Sequence, residues 1–449
     1  MEYPGTKLIK PIRMAILAFF WLLFFLLVPV IILYTSGYRY DFQNGLLKET
    51  GSVNVDVVPN TAEVYINNIK VKSKIPIRLN NLAPSKYSVA IKKDGYLDWY
   101  KNIEVTSKET VYIKDVVLFK KNTPELMLEG KIEETALSPN SKYLVYSVKQ
   151  EKYKEIWQNE LANNTQYMVG RIENTGPLQI LFAPNNHFYS ISAVTKDTSL
   201  NQILLVNAEK PKKTLDLANF STAPIIKFQW KESSFPEIYF ATKKQIMTFF
   251  PETGSQISIA KNNFVDWYME NGQLWTLAEN SSTKKIELLK DTIGFKNLYF
   301  SDFETTADTW QILIAKNNFI LLKKKNQPEM MLLTNGKKYL LAGDKFLISK
   351  YNNWFIAWTP WEIWTKTENE DPLLLNRSGL QLQEIIPLDK YNTLGLVWAD
   401  NVTILFPYYL VSTEIINQKV NTLVSDSDKR VLYFGGTYNN KEGLWKLEY

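Results

Sequence analysis

The stretch LSPNSKYLVYSVKQEKYKEIW, residues 137–157, strings together a turn, an apolar strand, a polar loop and a second strand ending in Ile-Trp. The same order returns in LFAPNNHFYSISAVTKDTSLNQILLVN, 181–207, and in LVSDSDKRVLYFGGTYNNKEGLWKLE, 423–448. Weaker copies fall between them: IIKFQWKESSFPEIYFATKKQIMTF from Ile225, FVDWYMENGQLWTLA from Phe264, ADTWQILIAKNNFILLKK from Ala307, Phe346 to Lys350 running into WFIAWTPWEIWTK, and LGLVWADNVTILF from Leu394. Self-similarity at roughly forty residues is the period of a four-stranded propeller blade. The spacing predicts a β-propeller over residues 125–449 with eight blades, or seven.

The best copies resemble the TolB-like class of propeller repeats, in which Ser-Pro-Asp-Gly opens an apolar strand and a later strand carries Ile-Trp. Ser138, Pro139, Asn140 and Ser141 stand for that turn in one copy, and Ala183, Pro184, Asn185 and Asn186 in another. Asparagine replaces the aspartate in both. Trp157, Trp364 and Trp445, each near a blade's later strand, are expected to pack between blades rather than touch a ligand.

Upstream, residues 50–119 alternate apolar and polar side chains in short runs broken by Pro, Asn and Gly, which reads as strands. Val53, Val55 and Val57 share one strand face; Val64 with Ile66, Tyr87 with Val89 and Ile91, and Val111 with Ile113 define three more. A small antiparallel sandwich follows. These residues resemble the PEGA domain, an immunoglobulin-like β-sandwich of prokaryotic surface and envelope proteins. Pro59, Asn60, Thr61 and Ala62 before EVYINN occupy its naming motif, LAPSKY its Leu-x-Pro-Gly-x-Tyr, and Gly95, Tyr96 and Trp99 its glycine-tyrosine-aromatic. The resemblance implies an envelope-associated structural or binding module and carries no catalytic residue. Gly95 after Asp94 suits a hairpin turn, and Tyr96 and Trp99 are expected to pack. A ligand-stacking role would need Tyr96, Trp99 and Tyr100 exposed side by side.

Location is read from MAILAFFWLLFFLLVPVIILY, Met14 to Tyr34, which has no charge and spans about 30 Å as a helix. Lys7, Lys10 and Arg13 precede it, so the positive-inside rule keeps the amino terminus in the cytoplasm. An uncleaved anchor is expected instead of a signal peptide, because bulky residues stand where a cleavage site wants small ones. The expected organisation is a basic cytoplasmic tail, 1–13, a transmembrane helix, 14–34, a linker, 35–50, the PEGA sandwich, 51–120, and the propeller, 125–449. The fold class is mainly β.

Composition narrows the function. A net charge of +6 over 449 residues, with lysines scattered among acids, lacks the dense basic stripe of a nucleic-acid binder. With no cysteine there is no disulfide, thiolate nucleophile or iron–sulfur cluster. His187 is the one histidine, so a Ser-His-Asp triad has a single place to form, and no nucleophile elbow lies near it. No phosphate loop, dinucleotide fingerprint or histidine metal motif is present, and no cofactor is expected. SDSDKR, Ser425 to Arg430, lacks the glycine and the distal glutamate of a calcium loop and reads as a solvated turn.

The expected function is a single-pass, extracytoplasmic binding or scaffold protein of a prokaryotic envelope, without enzymatic activity. Its partners would be the membrane and an envelope protein or cell-surface glycan, and no nucleic acid. Trp354, Trp358, Trp361 and Trp364 form the candidate ligand patch, with alternating burial on two paired strands as the competing explanation. The enzymatic alternative is a propeller glycoside hydrolase, which needs two carboxylates facing each other across a funnel. Asp266, Asp308 and Asp400 are the candidates for that role.

Overall fold

The computed structural model describes residues 10–41, 45–173, 176–193, 200, 202–261, 264–292, 295–303, 310–316, 319–349, 354–367 and 370–449. The chain divides into two compact units, Met1–Lys121 and Asn122–Tyr449.

The first unit opens with a helix, Lys10–Thr35, exposed along its length. Its segment Pro11–Thr35 is long and apolar enough to cross a membrane. A helix apolar on every side buries no stripe against a globular core, and lipid is the solvent that suits it. Gly37, at φ 82°, turns the chain into a hairpin of Tyr38–Asp41 with Leu46–Glu49. The sandwich follows as two sheets. One orders Ile77–Leu82, Gly51–Val58 and Thr110–Val117; the other orders Ile69–Lys70, Glu63–Ile66, Ser85–Lys92 and Trp99–Val105. Val53, Val55 and Val57 point inward on alternate positions, and Val64, Val89, Ile91 and Trp99 are buried from the second sheet. Ile66 and Val111 are only half-buried. One expectation fails: the sandwich is not wholly antiparallel, because Gly51–Val58 pairs in parallel with Thr110–Val117. A parallel partner needs a long crossover, and here the whole second sheet lies between the two strands in sequence.

In the second unit, eight four-stranded sheets among the described residues follow one another in chain order. Blades 1 to 7 occupy 132–172, 178–216, 227–261, 266–300, 310–342, 345–377 and 382–416. Blade 8 is composite: Val420–Asp426, Val431–Tyr438 and Lys441–Glu448 are completed by Glu125–Glu129, which pairs with Lys441–Glu448. Eight blades are therefore present, and the first propeller strand of the sequence closes the last.

Hydrophobic clusters straddle consecutive blades, which is what holds a propeller together. Trp267 and Met269 of blade 4 pack on Tyr239 and Ile246 of blade 3, and Trp310 and Ile312 of blade 5 on Trp275 and Leu288 of blade 4. Leu444 and Tyr433 of blade 8 meet Ile132 and Tyr146 of blade 1. At that closing seam, a Cβ on Gly435 would stand 2.6 Å from the Ile132 Cβ, so only glycine lets the two backbones approach. The Thr135 and Thr422 hydroxyls hydrogen-bond across the same seam at 2.7 Å. Trp157 and Trp364 pack against clusters shared by neighbouring blades, whereas Trp445 stacks on Phe434 within its own blade.

Candidate functional site

In blades 1, 2, 7 and 8 the first strand enters the second through a six-residue span. Ser138 donates its backbone N–H to Tyr143 O at 2.9 Å, Ala183 to Phe188 O at 2.8 Å and Leu388 to Thr393 O at 2.8 Å; Asp426 is in register with Val431. Each span holds one left-handed residue: Ser141 (φ 54°), Asn186 (66°), Asn392 (65°) and Arg430 (56°) in blades 1, 2, 7 and 8. In blade 1 the turn is held by a hydroxyl, since Ser138 Oγ accepts from the backbone N–H of Lys142 at 3.0 Å and of Tyr143 at 2.9 Å. Asn186 Oδ1 accepts from Asn140 N at 2.8 Å, which stitches blade 2 to blade 1.

Blades 7 and 8 use carboxylates for the same task. Asp389 Oδ1 accepts from Tyr391 N at 2.9 Å and Thr393 N at 3.0 Å, and Asp426 Oδ1 accepts from Lys429 N at 3.1 Å. Turn formation occupies one oxygen of each. The second oxygens, Oδ2 of Asp389 and Oδ2 of Asp426, are buried and accept no hydrogen bond. Asp426 is 1% exposed, and Lys429 Nζ approaches it only to 3.5 Å, from a side chain that is 61% exposed. Tyr449 ties the two turns together: its hydroxyl donates to Leu388 O at 2.6 Å and lies 3.0 Å from Ser425 Oγ. Burial pushes the Tyr449 phenol up, Ser425 and Arg430 oppose the shift, and Asp389 and Asp426 reinforce it. The phenol therefore stays a donor.

These turns bound a cavity of about 250 Å³ at one end of the propeller, contributed by blades 6, 7, 8 and 1. Its polar side includes Ser138, Asp389, Asn392, Asp426 and Asp428, and its apolar side includes Trp354. Three aspartates and no lysine or arginine line it. Among the described residues, no group of three or more histidine, cysteine, aspartate or glutamate side chains is placed to hold a metal ion.

The structure separates the four tryptophans of the sequence-based patch. Trp354 (8% exposed) and Trp358 (3%) belong to the cluster shared by blades 6 and 7, and Trp361 (51%) stands alone on a hairpin turn. Trp364 is half-buried and donates its indole N–H to Glu362 Oε2 at 3.0 Å, while Arg377 donates to the other oxygen of that carboxylate at 2.9 Å. Paired strands send alternate side chains to opposite faces, so the run does not form one exposed surface. Of the four, Trp354 alone reaches the cavity. In the sandwich, Trp99 is core at 1% exposed, Tyr96 is half-buried and Tyr100 is 52% exposed with Lys92 Nζ 5.1 Å from its ring centre.

Of the carboxylates considered for hydrolysis, Asp266 lies on blade 4 and Asp400 on blade 7. Asp266 takes Lys227 Nζ at 3.0 and 2.9 Å and the Ile312 backbone N–H at 2.6 Å, which fills both oxygens. Asp400 is exposed on the turn between the second and third strands of blade 7, and Asp308 lies outside the described residues. His187 is about half exposed, its Nδ1 3.7 Å from Glu209. The SDSDKR segment is not simply a solvated turn: it places Asp426 inside the blade and Asp428 on the cavity. Its signal in the sequence was an aspartate where the parallel copy has Ser138, a charge the turn itself does not need.

The architecture is that of an eight-bladed β-propeller protein with an amino-terminal β-sandwich and an apolar helix. Residues 50–120 match the PEGA domain family. No curated protein matches the sequence significantly. Solved structures similar to this chain include the Dos1 propeller, at 10% identity and TM-score 0.47, covering 73% of this chain and 95% of that one. The β-propeller domain of Myceliophteria thermophila Cps50 (Swd1) is similar at 8% identity and TM-score 0.43, over 73% and 98% of the two chains. Porphyromonas gingivalis dipeptidyl peptidase 4 is similar at 8% identity and TM-score 0.44, over 70% of this chain and 56% of that chain.

Proposed function

We propose that the chain is a single-pass envelope protein whose PEGA sandwich and propeller lie outside the cytoplasmic membrane and present a non-catalytic binding surface to a cell-surface glycan or an envelope protein. The observation that carries this reading is the uncharged run Met14–Tyr34 of the helix Lys10–Thr35, with Lys7, Lys10 and Arg13 before it and Arg39 as the nearest basic residue after it. The PEGA match and the propeller fold support an interaction or scaffold module.

The absence of cysteine makes the topology directly testable. Thr6→Cys and Ser282→Cys, each as the sole thiol, are treated in intact cells with a membrane-impermeant maleimide. Labelling of Ser282→Cys alone is expected, with Thr6→Cys reacting only after permeabilisation. The reverse pattern overturns the orientation. Cosedimentation of the detergent-solubilised full chain with purified wall polysaccharide then distinguishes the partners. Saturable binding supports the glycan; retention of one envelope protein without polysaccharide binding assigns the surface to a protein.

A further inference from the structure

Where the apolar helix ends, only Ser36 and Gly37 separate it from the hairpin of Tyr38–Asp41 with Leu46–Glu49. Laid across a bilayer, Met14–Tyr34 covers the hydrocarbon core of about 30 Å, which sets Tyr34 at the core's boundary and the start of the hairpin in the polar headgroup layer. The surface of the hairpin suits that layer. Tyr34 (60% exposed), Tyr40 (53%), Leu46 (61%) and Leu47 (52%) are all open at this junction, and Tyr40 pairs with Leu47 across the ladder. Glu49 is neutralised by Lys108 at 3.0 Å, which lessens its repulsion by anionic lipids.

The segment expected as a linker is also fastened at both sides. Gly37 O accepts from Thr50 N at 2.9 Å and Thr50 O from Lys108 N at 2.9 Å, which ties the base of the hairpin to the sandwich. Arg39 holds it to the helix: Nη1 donates to Tyr34 O at 2.6 Å and to Tyr38 O at 2.8 Å, Nε donates to Asn81 Oδ1 at 2.6 Å, and the guanidinium carbon lies 3.7 Å from the centre of the Tyr34 ring. A cation there satisfies an orphan carbonyl of the last turn and suits the negative end of the helix dipole. The hairpin is thus kept beside the helix end instead of swinging free.

We propose that the hairpin is an interfacial anchor: Tyr34, Tyr40, Leu46 and Leu47 sit in the phospholipid headgroup layer at the carboxyl-terminal end of the helix, with Arg39 as the clamp. Tyrosine rings favour that layer, and leucines gain by leaving water for its inner edge. The proposal rests on the membrane-anchor reading of the helix and adds a second lipid-contacting element to it.

The test uses the cysteine-free full chain in phosphatidylcholine–phosphatidylglycerol vesicles, with an environment-sensitive fluorophore on one introduced cysteine at a time: Leu47→Cys, Leu26→Cys within the helix, or Ser282→Cys as the exposed reference in the propeller. Iodide quenches labels in water, and lipids carrying a nitroxide near the headgroup or deep in the acyl chain quench labels at those depths. The Leu47 label is expected to emit at shorter wavelength than the Ser282 label, to resist iodide and to be quenched by the shallow nitroxide. The Leu26 label should answer to the deep one. A Leu47 label as open to iodide as Ser282, with Leu26 quenched by the deep nitroxide, overturns the interfacial hairpin and leaves the membrane anchor standing. A Leu26 label open to iodide overturns both. Arg39→Ala in the Leu47→Cys chain should raise iodide quenching several-fold, and Asn81→Ala, which removes only the bond to the sandwich, should raise it less; no change in Arg39→Ala overturns the clamp.

Discussion

Asp266 and Asp426 are both buried aspartates at a propeller strand, 8% and 1% exposed, yet they are solvated by the protein in opposite ways. Asp266 begins the first strand of blade 4 and ends it electrostatically complete: Lys227 Nζ bridges its two oxygens, donates also to Trp267 O at 2.7 Å and Ile312 O at 2.9 Å, and so joins blades 3, 4 and 5. Asp426 ends the first strand of blade 8 with one oxygen in its turn and the other without a hydrogen bond. A carboxylate whose two oxygens both accept from protein donors is explained by the fold. Asp426 Oδ2, buried without a hydrogen bond and approached only by the exposed Lys429 at 3.5 Å, is satisfied less completely.

Asp266 should be the more sensitive of the two. Replacing it by Ala strands Lys227 and the Ile312 N–H, and should cost about 3 kcal/mol in urea unfolding followed by tryptophan fluorescence. A loss under about 1 kcal/mol would mean that the bridge is not holding the blades. Ser138→Ala removes the hydroxyl that accepts from Lys142 and Tyr143, and the same measurement should show a loss of about 1 kcal/mol, with no change if water replaces the cap. Asp426→Asn should leave stability within about 0.5 kcal/mol or raise it, because the turn acceptor is retained and a buried charge is removed. A clear destabilisation would show that Oδ2 has a structural partner and would erase the contrast.

Glu49, in the first unit, extends the contrast to a partly exposed carboxylate. Hydrogen bonds from Ser107, Lys108 and Tyr38 hold its carboxyl at about 2, below the ordinary glutamate range. The folded state therefore binds a proton less readily than the unfolded chain, and the resulting stability is present above the ordinary glutamate pKa and lost as pH falls towards 2. Glu49→Gln should flatten that part of the acid-unfolding profile of the first unit, and an unchanged profile would remove Glu49 from the acid response. Of the four substitutions this one should change least.

Local features made much of the architecture legible. The alternation of Val53, Val55 and Val57, the Asp94-Gly95 turn with Gly95 at φ 76°, and the recurrence of turn, strand, loop and strand all depend on residues close in sequence. The parallel pairing of Gly51–Val58 with Thr110–Val117 was not legible, because a strand's alternation does not name its neighbour or direction. Nor was the fate of the tryptophan run, in which spacing placed Trp354, Trp358 and Trp364 on paired strands but could not say which face had a neighbouring blade to cover it.

An apolar helix, a β-sandwich of the PEGA type and a series of four-stranded blades are written in the chain, since periodicity, turn residues and apolar run length act over a few to some forty residues. Folding in three dimensions was needed to reveal that Glu125–Glu129 completes blade 8, that Asp266 is neutralised by Lys227 of the preceding blade, and that Ser138, Trp354, Asp389 and Asp426 share one cavity. Those facts depend on contacts between residues remote in the chain. A propeller creates them by closing its ring, which brings the turns of the first and last blades to the same end of the molecule.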